Sequence, residues 1–263
     1  MVMDVRKTVL LAKVETTYDT DPTPTSTVDA IMAHDVDIKE NAGIVEREGR
    51  WKFLDRLPSL LGEQWAEISF KILVHGSGTP ATAPRIGALL RACAHSQTIL
   101  SGVSVTYAPT SSSHESVTIY IYKDGRLNIV TGCRGSVKLN YSAGKALVAE
   151  FTFMGRYAAP SVTSLPATMA YETTVKVPPV CKSSAFSYNS KTTLKVQTLE
   201  MDAGNQVVKR PSLNDANAIA GFEITDRKPV WSIDPEGQFE TSYAFRSDWL
   251  ATTRAISVVA TRA

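Results

Sequence analysis

Apolar and polar residues alternate through much of this chain. Ile68, Phe70, Ile72 and Val74 fall on one side of residues 66–75, and Leu147, Ala149, Phe151 and Phe153 on one side of 145–154. A period of two marks strands with one buried face. The same pattern predicts strands at 103–107, 116–122, 127–130, 135–141, 193–201 and 206–209, with apolar pieces at 221–224, 230–233 and 256–259. Val36 and Ile38 predict a strand that turns at Asn41-Ala-Gly43 into a second one at Ile44-Val45. Lys123-Asp-Gly-Arg126 and Ser142-Ala-Gly144 read as hairpin turns. Helical spacing is rare. Pro84 opens a stretch, 84–95, in which Ile86, Leu89, Leu90 and Cys93 share a face. Phe239, Tyr243, Arg246 and Leu250 recur likewise over 239–251. The fold class expected is mainly β, an antiparallel sandwich or barrel with a helix on its side.

Three stretches break the pattern. Residues 15–27 (ETTYDTDPTPTST) are Thr, Pro and Asp, an extended or turn-rich arm. Residues 46–65 are charged and hold no steady period, so a long irregular loop is expected there. Its Trp51, Phe53, Leu54, Leu57, Leu60, Leu61 and Trp65 argue against plain disorder and suit burial against another subunit. Residues 158–192, rich in Pro, Ser and Thr, read as a linker or covering arm with a strand at 173–177. The order strand, Gly turn, strand, loop, strand, Gly turn, helix, strand occurs once in each half, which suggests a tandem β-unit. This divides the chain into 1–157, 158–192 and 193–263. The second half lacks a closing hairpin like 135–154, so its unit is expected to be incomplete.

Composition narrows the function without giving it. The chain has 263 residues, 43% hydrophobic and 21% charged, and no apolar run long enough for a membrane helix. A net charge of +2 argues against a dedicated nucleic-acid binder. Three scattered cysteines, Cys93, Cys133 and Cys181, fit a reducing compartment. The apolar stretch Thr8 to Ala12 is too short for a secretory signal, so a cytoplasmic origin is expected. His75-Gly-Ser-Gly78 lacks the G-x-S-x-G spacing and reads as a turn. His34-Asp35-Val-Asp37 has no second ligand cluster and reads as an exposed strand end. His114-Glu115 reads as solvated. Gly132-Cys-Arg-Gly135 precedes no helix to bind phosphate, and Cys133 reads as a small strand hydrophobe rather than a thiolate. No constellation for an enzyme, cofactor or metal emerges.

A resemblance does. Glu15-Thr-Thr-Tyr-Asp-Thr-Asp-Pro-Thr-Pro24 resembles the start of a tail tube (major tail) protein of long-tailed, non-contractile bacteriophages. The segments Gly76–Thr79 with Ala83–Cys93, Val103–Pro109, Glu115–Tyr120, Lys123-Asp-Gly125, Gly132–Ser136, Phe151–Gly155 with Ala158-Ala-Pro160, and Asp202–Val207 are similar to that family in the same order. The resemblance implies a structural virion protein, with a β-barrel or sandwich, a flanking helix, no catalytic residues and no cofactor. It implies rings stacked into a tube that conducts DNA into the host, assembled in the host cytoplasm. Its implied partners are copies of itself, the tape-measure, tail-completion and distal tail proteins, and double-stranded DNA in passage without specific binding. Arg47, Trp51, Phe53, Leu54, Leu57 and Trp65 are then the expected inter-ring contacts. A β-sandwich module binding carbohydrate or a receptor is the alternative, as is a tail-tip or tail-completion protein.

Overall fold

The computed structural model describes residues 6–172, 177–182, 184–189, 191–215, 217–237 and 255–259. The first half gives β1 (Thr8–Val14), β2 (Ala30–Ile31), β3 (Ala33–Val45), β4 (Leu60–Leu73), helix α1 (Ile86–Ala92), β5 (His95–Leu100), β6 (Ser104–Pro109), β7 (Val117–Lys123), β8 (Arg126–Ser142) and β9 (Val148–Tyr157). The second gives β10 (Ser161–Val162), β11 (Ala185–Tyr188), β12 (Val196–Asp202), β13 (Asn205–Pro211), β14 (Ile219–Arg227), β15 (Val230–Pro235) and β16 (Ile256–Val259). The helix expected at 239–251 lies outside the described residues, as do residues 173–176 of the strand expected at 173–177.

The main sheet has ten strands, in the order β2-β1-β7-β8-β9-β4-β3, with β10 and β12 also on β8 and β15 on β12. Every pairing is antiparallel. The long strand β8 is shared: its first half pairs with β7 and its second half with β12, while β9 lies along the other side. A register shift between Thr131 and Arg134, where Gly132 takes a φ of 61°, bends it. Such a bulge increases local twist and turns one strand between two layers. The core lies between those layers. Leu10, Ala12, Val117, Ile119 and Ile121 meet Ile68, Phe70, Ile72, Phe151 and Phe153, and α1 closes one side with Ile86, Leu89, Ala92 and Cys93. Phe70, Phe151 and Phe153 stack pairwise at 5.6–5.9 Å. Burying each is worth about 1.5–3 kcal/mol. The architecture is the expected sandwich-like β-fold with one flanking helix.

The other face of β1 and β7 is covered as well. Val9, Leu11, Tyr120, Tyr122 and Leu127 form a second cluster beneath Leu165, Met169 and Tyr171. Residues 163–172 therefore act as the covering arm. Arg85, at the head of α1, fastens it: its guanidinium donates to the carbonyls of Ala30, Thr27 and Ala170, and its backbone N–H to Glu172.

Several local expectations are corrected. Asn41-Ala-Gly43 is no turn but a register shift between Ala42 and Ile44 inside the continuous strand β3. The irregular loop spans only 46–59, because Leu60–Trp65 already pair with β3. The strands expected at 127–130 and 135–141 are one strand, β8. The strand β5 was not expected, since its exposed Ile99 and Leu100 break the alternation. Ala203-Gly204 is a kink: β12 and β13 do not pair with each other, but continue, as do β14 and β15, into one long bent hairpin. His114-Glu115 is half-buried rather than fully solvated: Glu115 takes a two-pronged bond from Arg91, and the His114 carbonyl accepts from Arg134 at 2.8 Å.

Candidate assembly site

β3 and β4 pair from Ala33↔Ile72 out to Val45↔Leu60, and residues 46–59 close their far end. The base of this ribbon is braced by the bent hairpin. Lys209 of β13 lies 3.5 Å from the Trp65 ring centroid and pairs with Glu63 at 2.5 Å, and Gln64 N–H donates to the Asn217 carbonyl at 3.4 Å. Beyond that brace Ile44, Val45, Leu60 and Leu61 are exposed. At the apex Trp51 and Phe53 meet edge to face at 5.2 Å, and the Trp51 indole donates to the Asp55 carbonyl at 2.6 Å. Both rings remain about half exposed, at 47% and 55%, and Leu54 is fully so. Leu57 is half-buried, against Gly49. Arg47 is exposed. An apolar tip of this kind, unsupported by its own fold, is the mark of a surface that meets another protein.

Of the six expected contact residues, Arg47, Trp51, Phe53, Leu54 and Leu57 thus share the tip, whereas Trp65 sits at the ribbon base under Lys209. The exposed aliphatic pairs at 44–45 and 60–61 belong to the same surface. Their signal in the sequence was two adjacent apolar residues on each strand, which alternation cannot bury on one face.

A second surface is the open face of β15, β12, the second half of β8, β9, β4 and β3. Cross-strand register places Asp35, Asp37, Glu67, Glu150, Glu200, Asp202 and Asp234 there with Lys39, Lys71 and Lys138. Left open on that face are seven carboxylates and three lysines, a net −4 on a chain whose whole charge is +2, while Arg134 and Arg156, on the same side by register, lie under β14, bonded to the Phe222 and Ile219 carbonyls. The charges alternate across the strands. Lys71 lies 3.3 Å from Asp35 and 3.7 Å from Glu150, and Lys138 lies 2.6 Å from Glu200 and opposite Glu150. Contact with Glu200 raises the Lys138 pKa, so this lysine stays charged.

Burial pushes the Cys133 and Cys93 thiols well up, so neither is a thiolate. His34 is exposed on the edge strand β3, and among the described residues no group of three His, Cys, Asp or Glu side chains could hold a metal. His75 stands at the turn through Gly78, where φ is 77°.

No curated protein matches the chain significantly. Residues 6–263 match a family described as phage tail tube protein. The match spans nearly the whole sequence. The chain belongs to the phage tail tube protein family and is a structural component of the virion tail.

Proposed function

We propose that copies of this chain join into rings, that the rings stack, and that the charged sheet face lines the channel through which double-stranded DNA leaves the virion. The observation that carries the stacking is the β3–β4 tip, whose aromatic pair stays about half exposed. The inter-ring contact is built by Arg47, Trp51, Phe53, Leu54 and Leu57 at the tip, on a ribbon held by Trp65 at its base. Among the described residues, edges β3 and β15 end the sheet that bears the charged face, and unpaired edges are templates for pairing with a neighbouring chain. The acidic excess on that face supports its assignment to the channel, because cations there would bind phosphate and hold the DNA. The tape-measure, tail-completion and distal tail proteins then meet the ends of the tube. Assembly takes place in the host cytoplasm, and the role is structural rather than catalytic.

Trp51→Ala tests this reading. A buried aromatic anchor at an interface is typically worth about 2 kcal/mol or more. The variant should remain folded, since the ring's contact with Phe53 and its bond to Asp55 both lie within the tip, yet polymerise into tubes at least about tenfold less readily. Electron microscopy of the purified chain reads both. Normal tube growth by Trp51→Ala would remove the tip from the stacking contact.

A further inference from the structure

The end of the sheet remote from the tip carries a cavity of about 470 Å³. It is bounded by the β8–β9 turn at Ser142–Gly144 and by Phe186, Leu194, Val196 and Val258. Lys182 and Lys195 stand on its lining. Its volume falls within the roughly 300–1,000 Å³ that encloses small-molecule-sized groups. The placement follows from register. β4 leaves the tip at Leu60 and ends at Leu73 beside Val148, which pairs with Asn140 just before the Ser142–Gly144 turn. Fourteen residues of strand at about 3.3 Å each separate tip and cavity by about 45 Å along the sheet.

We propose that the tip of one copy seats in this cavity on a second copy in the adjacent ring. The inference rests on the stacking role of the tip and names its receptor. Three observations favour a second copy of this chain as the occupant. Tip and cavity lie at opposite ends of one sheet, so a copy that fills its neighbour's cavity still presents an empty cavity of its own. A heterologous contact of this kind propagates without closing. The chemistry also matches: an aromatic pair projects at one end, and an apolar hollow lies at the other. Finally, both surfaces are mixed in charge: Glu46, Glu48 and Asp55 stand among Arg47, Arg50, Lys52 and Arg56 on the tip, while Lys182 and Lys195 line the hollow with Glu236 bonded through its backbone to Lys195, so carboxylates and cations can pair across the contact. The end of the β5–β6 hairpin, with Ile99, Leu100 and Val103, is another exposed apolar surface; the hollow of about 400 Å³ beside it is lined largely by Gly, Ser, Thr and Ala of residues 76–82 and offers less apolar wall to an aromatic pair.

The test uses the native Cys181, which lines the cavity and is partly exposed, while Cys93 and Cys133 are fully buried. Tubes assembled from full-length Leu54→Cys, treated with a short bis-maleimide, should give a ladder of linked chains on a denaturing gel. The ladder should vanish in Leu54→Cys combined with Cys181→Ser. Tubes that form but give no ladder overturn the proposal, as does a ladder that survives loss of Cys181. So does a ladder obtained only when the Leu54→Cys chain is co-assembled with a Val103→Cys chain, which would place the tip on the β5–β6 hairpin. All three outcomes leave the stacking role of the tip standing. Trp51→Ala separately decides that role, so the two failures are distinguishable.

Discussion

Glu15 lies at the start of the N-terminal arm and is 7% exposed. Its carboxylate accepts from the Asp19 N–H at 2.8 Å, the Gly132 N–H at 2.7 Å, the Thr118 hydroxyl at 2.6 Å and the Ser116 hydroxyl. A buried carboxylate is tolerated when its lone pairs are filled in this way. The arm continues to Tyr18, whose hydroxyl accepts from the Phe222 N–H at 2.7 Å and whose ring faces the Arg134 guanidinium at 4.9 Å. Residues far apart in the chain thus converge on one buried knot. His95 sits at the opposite side of α1, 9% exposed, with Nδ1 2.9 Å from the Cys93 carbonyl and the Arg227 guanidinium nearby. Burial holds its pKa below the usual value, against the opposing bond to the Cys93 carbonyl and with a smaller contribution from the Arg227 charge. The unfolded chain, with a His pKa of about 6.5, therefore binds the proton more readily than the folded one. Stability from this group is full above that pH and falls as the pH drops below it. His95→Gln should flatten the fall, so thermal unfolding midpoints between pH 5 and 7.5 should differ less in the variant than in the parent chain.

At the scale of elements, the bent hairpin of β12 to β15 depends on one residue. Gly204 takes a φ of 61° at the kink, and a Cβ there would lie 2.0 Å from the Lys228 carbonyl oxygen. That oxygen belongs to the opposite arm, whose Lys228 N–H donates back to the Gly204 carbonyl at 3.0 Å. Gly204→Ala should destabilise the protein by at least about 2 kcal/mol, combining a left-handed backbone with a clash that neither arm can relieve. Urea unfolding measures it, and a loss under 0.5 kcal/mol on the order expected of neutral surface changes would show that the kink is not locked there. The same hairpin marks where the sequence ceases to be legible. Strands with clean alternation, such as 66–75 and 145–154, are readable because each buries one face by itself. The Asp124-Gly125 hairpin is readable because its turn is local. Asn41-Ala-Gly43 and Gly132 carry turn chemistry but are spent on bulges, and only the partner strand decides between the two. The tip was readable as an apolar loop without a period. The charged face was not, because Asp35, Lys71, Glu150, Lys138 and Glu200 lie on five strands and become neighbours only through register.

At the scale of the whole molecule, we propose two hairpin-bearing units per chain. Two long bent hairpins support this, β3–β4 in the first half and β12–β15 in the second. If, as the resemblance to tail tube proteins implies, six such units close a ring, three chains supply them. Symmetry analysis of tube images should therefore count three chains per ring. Six equivalent chains would reduce residues 193–259 to an attachment on a single unit.

The alternating charges of the open sheet face have a consequence for motion. Lys71 is held between Asp35 and Glu150, Lys138 between Glu150 and Glu200, and Lys39 stands opposite Glu67. Each ammonium group on this face already has carboxylates beside it, so a phosphate drawn toward one must displace them and face their repulsion. On the proposed assignment of this face to the channel, a duplex sliding past would meet a wall corrugated in charge, with each cation already answered by a carboxylate, and so without a row of free cations to hold it.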